Sequence, residues 1–343
     1  MNRAPDSLSR TRGQNMEYRT FGSTELTVSA VGFGAWAIGG PVELSGNPVG
    51  WSRIDESVAI EALHRSFELG VNFFDTADVY GMGHSETIIG KAFCGRRSRV
   101  IIASKVGNEM LSTGGHRKNF GPDYIEKSLH ATLKRLQTDY LDFYQMHNPS
   151  LAIIRQGTVF QTLEMLRSQG KVRYYGVSVN APEEGLEVVR MGAGHGLQVL
   201  FNVLNQKPAE RLFPAARRAG YGIIARVPLA SGLLAGKMTQ ETRFAADDIR
   251  GNFLTTRRLR EALEKVEQFK HLAGVSGSDV ARASLAFVLA NPAVSVAIPG
   301  AKNADQAEAN AGATEFRMAD RTVESVRKEL GGYNFYLRYA IPV

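Results

Sequence analysis

Four side chains stand at or just past the ends of short β-rich runs, and together they could move a proton. Asp75 and Tyr80 lie in Asp75-Thr76-Ala77-Asp78-Val79-Tyr80-Gly81, Lys105 closes Ala103-Ser104-Lys105, and His147 lies in Gln145-Met146-His147-Asn148. The chemistry that uses such a set is the reduction of a carbonyl. Hydride arriving at carbon leaves negative charge on oxygen, and a proton must be supplied there. A tyrosine is protonated at neutral pH and can act as the acid. A neighbouring ammonium favours the phenolate left behind, and a carboxylate keeps that ammonium charged and oriented. A histidine beside the tyrosine can donate to the substrate oxygen.

These residues meet only if the runs that carry them point to one place. Strand-like runs at Val28–Trp36, Asn72–Ala77, Val100–Val106, Leu141–Asn148, Val172–Val179, Leu197–Leu204, Gly222–Leu229 and Val294–Pro299 alternate with helical patterns. Ile60, Leu63 and Phe67 recur at helical spacing, as do Ile125, Leu129, Leu133 and Leu136. Strand followed by helix eight times, with no strand-only block, predicts an α/β protein: a parallel (β/α)8 TIM barrel, whose strand ends converge on one mouth. An open dinucleotide fold would carry G-x-G-x-x-G after a strand, and Gly32, Gly34 and Gly39 do not fit that spacing. Glu17–Val28 reads as a hairpin turning at Gly22-Ser23, placed to plug the barrel bottom. Two long connections, Gly107–Asp123 and Lys237–Thr255, both follow strands and fall at the active-site face.

The last strand adds an anion site. Ile298-Pro299-Gly300-Ala301-Lys302-Asn303 supplies a glycine, a lysine and a helix N-cap. Backbone N–H groups at a helix start attract phosphate, which barrels often bind after strands seven and eight.

The string Asn72-Phe73-Phe74-Asp75-Thr76-Ala77-Asp78-Val79-Tyr80-Gly81, with His84-Ser85-Glu86 after it, resembles the aldo/keto reductase signature. Ala103-Ser104-Lys105 and Met146-His147 match the same family's lysine and histidine positions, and the resemblance runs from about Tyr18 to Glu329. It implies an NADPH-dependent oxidoreductase that reduces an aldehyde or ketone, or oxidises a sugar or alcohol in reverse. It implies the tetrad Asp75, Tyr80 as proton donor, Lys105 and His147. Trp36, Tyr80 and His147 would line the substrate pocket. For the cofactor it implies Ser178 and Gln198 at the carboxamide, with Val179 standing where asparagine is usual. Arg226 takes the place of an aromatic residue stacked on the nicotinamide. Leu229, Ser231, Gly232, Leu233 and Lys237 resemble the segment along the pyrophosphate. Lys302 would meet the 2′-phosphate at Gly300, with Gln306 and Asn310 near the ribose and adenine; Ala309 replaces a usual glutamate.

The bulk numbers agree with this expectation. The chain has 343 residues, 43% hydrophobic and 22% charged, enough for one barrel core. Its formal charge of +7 is scattered in short groups such as Arg96, Arg97 and Arg99, with no nucleic-acid motif. One cysteine, Cys94, excludes a disulfide framework and suits a reducing, cytoplasmic setting; helical surroundings read it as a packed thiol. No apolar run approaches the ~20 residues of a membrane span. Residues 1–15 read as a disordered tail and 16–343 as a single barrel domain. The histidines show no paired metal spacing, so no metal is expected. Two other readings use the same residues. A Schiff-base lyase would employ Lys105, and a non-catalytic regulatory subunit would keep NADPH as a sensor.

Overall fold

The computed structural model describes residues 16–338 apart from 45 and 112–114, so the expected tail at 1–15 lies outside the described residues. Eight parallel strands form one sheet: β1 (Phe33–Gly34), β2 (Phe73–Asp75), β3 (Ile101–Val106), β4 (Leu141–His147), β5 (Val172–Val179), β6 (Gly196–Leu200), β7 (Gly222–Arg226) and β8 (Val294–Ile298). Each pairs with the next in chain order. Parallel bridges Val31↔Ala297 and Gly34↔Gly300 join the first strand to the last. At this seam Gly32 N–H donates to Ala297 O at 2.7 Å and Gly34 N–H to Pro299 O at 3.0 Å. The backbones approach so closely that a Cβ on Gly34 would sit 2.7 Å from Ile298 O. The sheet is thus a closed (β/α)8 barrel.

Helices follow every strand: α1 (Glu56–Glu68), α2 (His84–Ala92), α3 (Pro122–Leu136), α4 (Leu151–Gln156) with α5 (Thr158–Ser168), α6 (Pro182–Met191), α7 (Leu212–Arg218), α8 (Arg250–Phe253) with α9 (Thr256–Ala273) and α10 (Asp279–Leu289), and α11 (Ala304–Ala311). α12 (Asp320–Leu330) and α13 (Phe335–Arg338) complete the chain order. Local chemistry sets several starts. Asp55 caps α1 by accepting from Ser57 N–H at 2.7 Å, and Pro122 opens α3 where its missing N–H costs nothing. No helix among the described residues is long and apolar enough to cross a membrane.

Side chains alternate along a strand with period two, and this decides what enters the barrel. Phe74, Ile102 and Tyr144 face the helices, buried with Leu129 and Leu133. Phe73, Ala103, Phe143, Ile224 and Val296 face inward as an apolar floor. One step further along the same inward rows come Asp75, Lys105, Gln145, Gln198 and Arg226. The interior therefore changes from apolar to polar toward the carboxyl ends.

The N-terminal hairpin forms as expected, Tyr18–Thr20 against Thr27–Ser29. Phe21 at its bend fills the floor. It stacks on Phe73 at 6.2 Å, meets Phe143 edge-on at 5.1 Å, and occupies the room left where Gly196 and Gly222 lack side chains. The first expected strand, Val28–Trp36, is corrected. Its beginning belongs to this hairpin and only Phe33–Gly34 is ladder, because the chain must leave the floor before entering the barrel wall. The connection Gly107–Asp123 is not structureless. It holds a hairpin of its own, Asn108–Met110 with His116–Lys118. Lys237–Thr255 likewise contains α8. Cys94, expected to pack, is exposed in the turn after α2.

Candidate active site

Adjacent inward rows, with the turn that follows β2, bring three of the four expected catalytic groups into direct contact. Lys105 Nζ donates to Asp75 Oδ2 at 2.6 Å, to the Thr76 carbonyl at 2.7 Å and to Tyr80 Oη at 3.2 Å. Lys105 is 0% exposed and Asp75 2%. A buried ammonium persists only with partners of this kind. Burial works against its charge, yet Asp75 and Tyr80 together hold Lys105 above its ordinary value. Burial also raises the Tyr80 phenol, while Lys105 pulls it back down. Tyr80 is therefore protonated at neutral pH with its future charge already paired.

His147 stands edge-on to Tyr80, ring centroids 6.0 Å apart. It is buried, and burial with nearby Lys105, Lys118 and Arg226 keeps the ring well below the usual imidazole range. It is a neutral ring, able to donate but not poised as a cation. Trp36 stacks on Tyr80 at 5.9 Å and meets Trp51 edge-on at 5.7 Å, so two indoles wall the mouth beside the phenol.

The carboxylate of Asp75 is tied further. Gln198 Nε2 donates to its Oδ1 at 2.7 Å and Gln145 Nε2 at 3.1 Å. Gln145 was missed in the sequence, although it lies on the inward row of β4 between Phe143 and His147.

The residues expected to hold a cofactor line an arc from β5 to β8. Ser178 is buried, its hydroxyl 3.3 Å from Asn148 Oδ1. Val179 is buried toward the helices, and the next residue, Asn180, carries an amide to the mouth, where its Oδ1 accepts from Arg226 Nη2 at 3.1 Å. The valine thus leaves an amide at the mouth, one position later. Arg226 also donates to Val179 O at 3.2 Å, and its buried Nε has no hydrogen-bond partner among the described residues.

After β7 the backbone is left-handed at Ala230, Ser231 and Gly232. Ser231 pairs with Tyr336 at 2.9 Å, Leu233 is buried in the core, Leu229 is half-buried, and Lys237 is exposed. A Cβ on Gly232 would meet the Arg250 guanidinium at 3.5 Å.

After β8, Asn303 caps α11 through Gln306 N–H at 3.0 Å, and Gln306 Oε1 accepts from Lys302 N–H at 2.9 Å. Asn310 donates to Gly300 O at 3.1 Å. Lys302 Nζ lies 5.1 Å over Trp51, and Arg250 lies 4.5 Å over the same indole. Burial and Arg250 push the Lys302 ammonium below its ordinary value. Arg250 was not singled out in the sequence. It is held by Asp248 at 2.6 Å, and its segment is bonded across the mouth through Ile249 N–H to Gly50 O at 3.0 Å. An orphaned guanidinium nitrogen at one end and two facing cations at the other fit an extended, anionic, amide-bearing molecule such as a nicotinamide dinucleotide.

Comparison with known proteins agrees with this geometry. Residues 30–329 match the Aldo/keto reductase family. The chain is similar to Aldo-keto reductase YhdN of Bacillus subtilis, 33% identical over 86% of this chain and 87% of that protein. It is also similar to a probable voltage-gated potassium channel subunit beta of Arabidopsis thaliana, 29% identical over 86% of this chain and 90% of that one. The solved glycerol dehydrogenase AKR11B4 of Gluconobacter oxydans superposes with a TM-score of 0.77 at 25% identity, covering 95% of this chain and 97% of its own. A closed (β/α)8 barrel with these side chains at its mouth, matched along nearly its whole length, belongs to the aldo/keto reductase family and is an oxidoreductase of that family.

Proposed function

We propose that the protein is an NADPH-dependent reductase of aldehydes or ketones, with Tyr80 as proton donor. The observation that carries this reading is the position of Lys105 Nζ, 2.6 Å from Asp75 Oδ2 and 3.2 Å from Tyr80 Oη. When bound, the reduced nicotinamide supplies the hydride. Tyr80 gives its proton to the carbonyl oxygen, and Lys105 favours the phenolate that remains. Asp75, with Gln145 and Gln198 on its other oxygen, holds Lys105 charged and aimed. His147 donates to the carbonyl oxygen, and Trp36 covers the apolar side of the substrate. The reverse oxidation of an alcohol uses the same groups. A small carbonyl or sugar is the expected substrate, and the single exposed thiol suits a cytoplasmic setting.

Ser178 and Gln198 would hold the carboxamide, and Arg226 would lie beside the nicotinamide. Ser231, Gly232, Leu233 and Lys237 would follow the pyrophosphate, while Lys302 with Gln306 and Asn310 would take the adenosine end. The 2′-phosphate preference rests on Lys302, whose crowding by Arg250 an anion would relieve. A panel of carbonyls and alcohols with NADPH, NADH and their oxidised forms, followed at the nicotinamide absorbance, tests the activity. Lys302→Ala should weaken NADPH about 10–100-fold and NADH little. Equal losses for both would remove the 2′-phosphate assignment. Stable NADPH binding without turnover of any panel member would favour a sensor, as the resemblance to a channel subunit allows.

A further inference from the structure

The hairpin that follows β3 sets Asn108 directly opposite Lys118. Opposed side chains of an antiparallel pair are within reach of each other, and these two meet beside His147. Lys118 Nζ donates to Asn108 Oδ1 at 2.7 Å and to the His147 carbonyl at 3.1 Å. The other end of the Asn108 amide, Nδ2, lies 3.1 Å from His147 Nδ1. An ammonium can only donate. Its contact therefore identifies the oxygen end of the amide. The NH2 end faces the imidazole and also only donates. Nδ1 must accept, so the ring proton sits on Nε2.

We propose that Asn108 and Lys118 are positioning residues that lock His147 in the Nε2–H tautomer, the form that donates into the barrel mouth. The effect on turnover rests on the proposed role of His147; the tautomer itself does not. The groups facing the ring agree with a neutral donor. Lys105 from β3, Lys118 from the hairpin and Arg226 from β7 are cationic, Tyr80 after β2 is a phenol, and Asp75 is engaged by Lys105, Gln145 and Gln198. A protonated ring would turn an Nδ1–H against the Asn108 NH2. The backbone of Asn108 is fixed as well, its carbonyl accepting from Tyr124 Oη at 2.9 Å.

Nitrogen-15 spectra of the histidine-labelled full chain test this directly, with His147→Gln used to assign the signals. The wild type should show an Nε2–H ring that stays neutral below the ordinary imidazole pKa. Asn108→Asp keeps the shape but replaces the donor by an acceptor. It should move the ring to Nδ1–H and imidazolium, and lower kcat for reduction about 10²-fold above the ring's new titration point. Turnover should recover below that point, with NADPH affinity unchanged. Lys118→Met frees the amide to turn and should give mixed tautomers. Lys118→Arg, again a pure donor, should restore Nε2–H. A wild-type ring that is Nδ1–H, or that titrates at the ordinary value, would overturn the proposal. So would an Nε2–H ring that persists in both Asn108→Asp and Lys118→Met. If Asn108→Asp fails to fold, the Lys118 variants on the exposed strand decide. A tautomer that moves as expected without any change in turnover would leave the lock standing and remove His147 from the carbonyl-donor role.

Discussion

Tyr80→Phe removes one oxygen and leaves the ring stacked on Trp36. Cofactor affinity should stay within a few-fold, while kcat for reduction falls about 10²–10⁴-fold. Lys105→Met should act in the same direction, because the phenolate loses the ammonium 3.2 Å away; each pKa unit of that loss is about 1.4 kcal/mol. The double variant should cost little more than either single one, since the pair acts as a unit. Turnover and cofactor titrations check this, and a Tyr80→Phe protein with near wild-type turnover would falsify the donor assignment. A second residue close by carries a pH effect. Asp78 Oδ1 is buried without a hydrogen-bond partner among the described residues, and burial with neighbouring Glu86 raises the carboxyl to about 7. The unfolded carboxyl titrates near ~3.9. Between those values the folded chain holds a proton that the unfolded chain has lost. Stability should therefore fall as pH rises through that window, the loss being complete above about 7. Asp78→Asn should remove this slope and raise the urea midpoint at pH ~8 relative to wild type. An unchanged slope would mean that Asp78 is ionised in the fold.

The two long connections are folded elements, each for a different reason. The hairpin after β3 sets Asn108 opposite Lys118, and both reach His147. The segment after β7 crosses the mouth. Ile249 N–H reaches Gly50 O at 3.0 Å, Asn252 Nδ2 reaches Pro48 O at 2.8 Å, and Ser52 Oγ reaches Asp247 at 3.1 Å. A strap held by few bonds opens locally at low cost, and a ligand beneath it adds contacts that release must break. Hydrogen exchange of residues 238–254 should slow when NADPH binds, more than exchange in α3 on the far side of the site. Equal protection with and without cofactor would make this segment a surface insertion. Arg250 is the residue through which the strap would sense the cofactor, because it spans Trp51, Asp248 and the approach to Gly232.

At the level of the whole molecule the barrel depends on one seam. β1 contributes only two ladder residues, and closure rests on close backbone approach at Gly32 and Gly34. Gly34→Val should press a side chain into Ile298 O and cost about 1–3 kcal/mol, as overpacking typically does. Urea unfolding measures the loss, and faster exchange at the Gly32 and Ala297 amides would locate it at the seam. Wild-type stability in this variant would show that closure tolerates a wider gap.

The order of strands and helices, the closed parallel sheet and the meeting of Asp75, Tyr80, Lys105 and His147 at one mouth were legible in the chain, because they depend on periodicity and on residue types at strand ends. Period-two alternation is a local property, and it alone directs Asp75, Lys105 and His147 to one interior. The hairpin at Gly22 was equally readable, since its turn chemistry is local. What required the tertiary structure were contacts between segments far apart in sequence. Gln198 lies 123 positions from the Asp75 it binds, and Arg250 meets Trp51 across the mouth from another loop. The first strand was overextended because apolar residues that plug the floor look the same in sequence as residues that line a wall. Asn108 and Lys118 carried no periodic signal. Their meaning arises only when a hairpin register sets them opposite each other beside a ring, which fixes where a single proton resides.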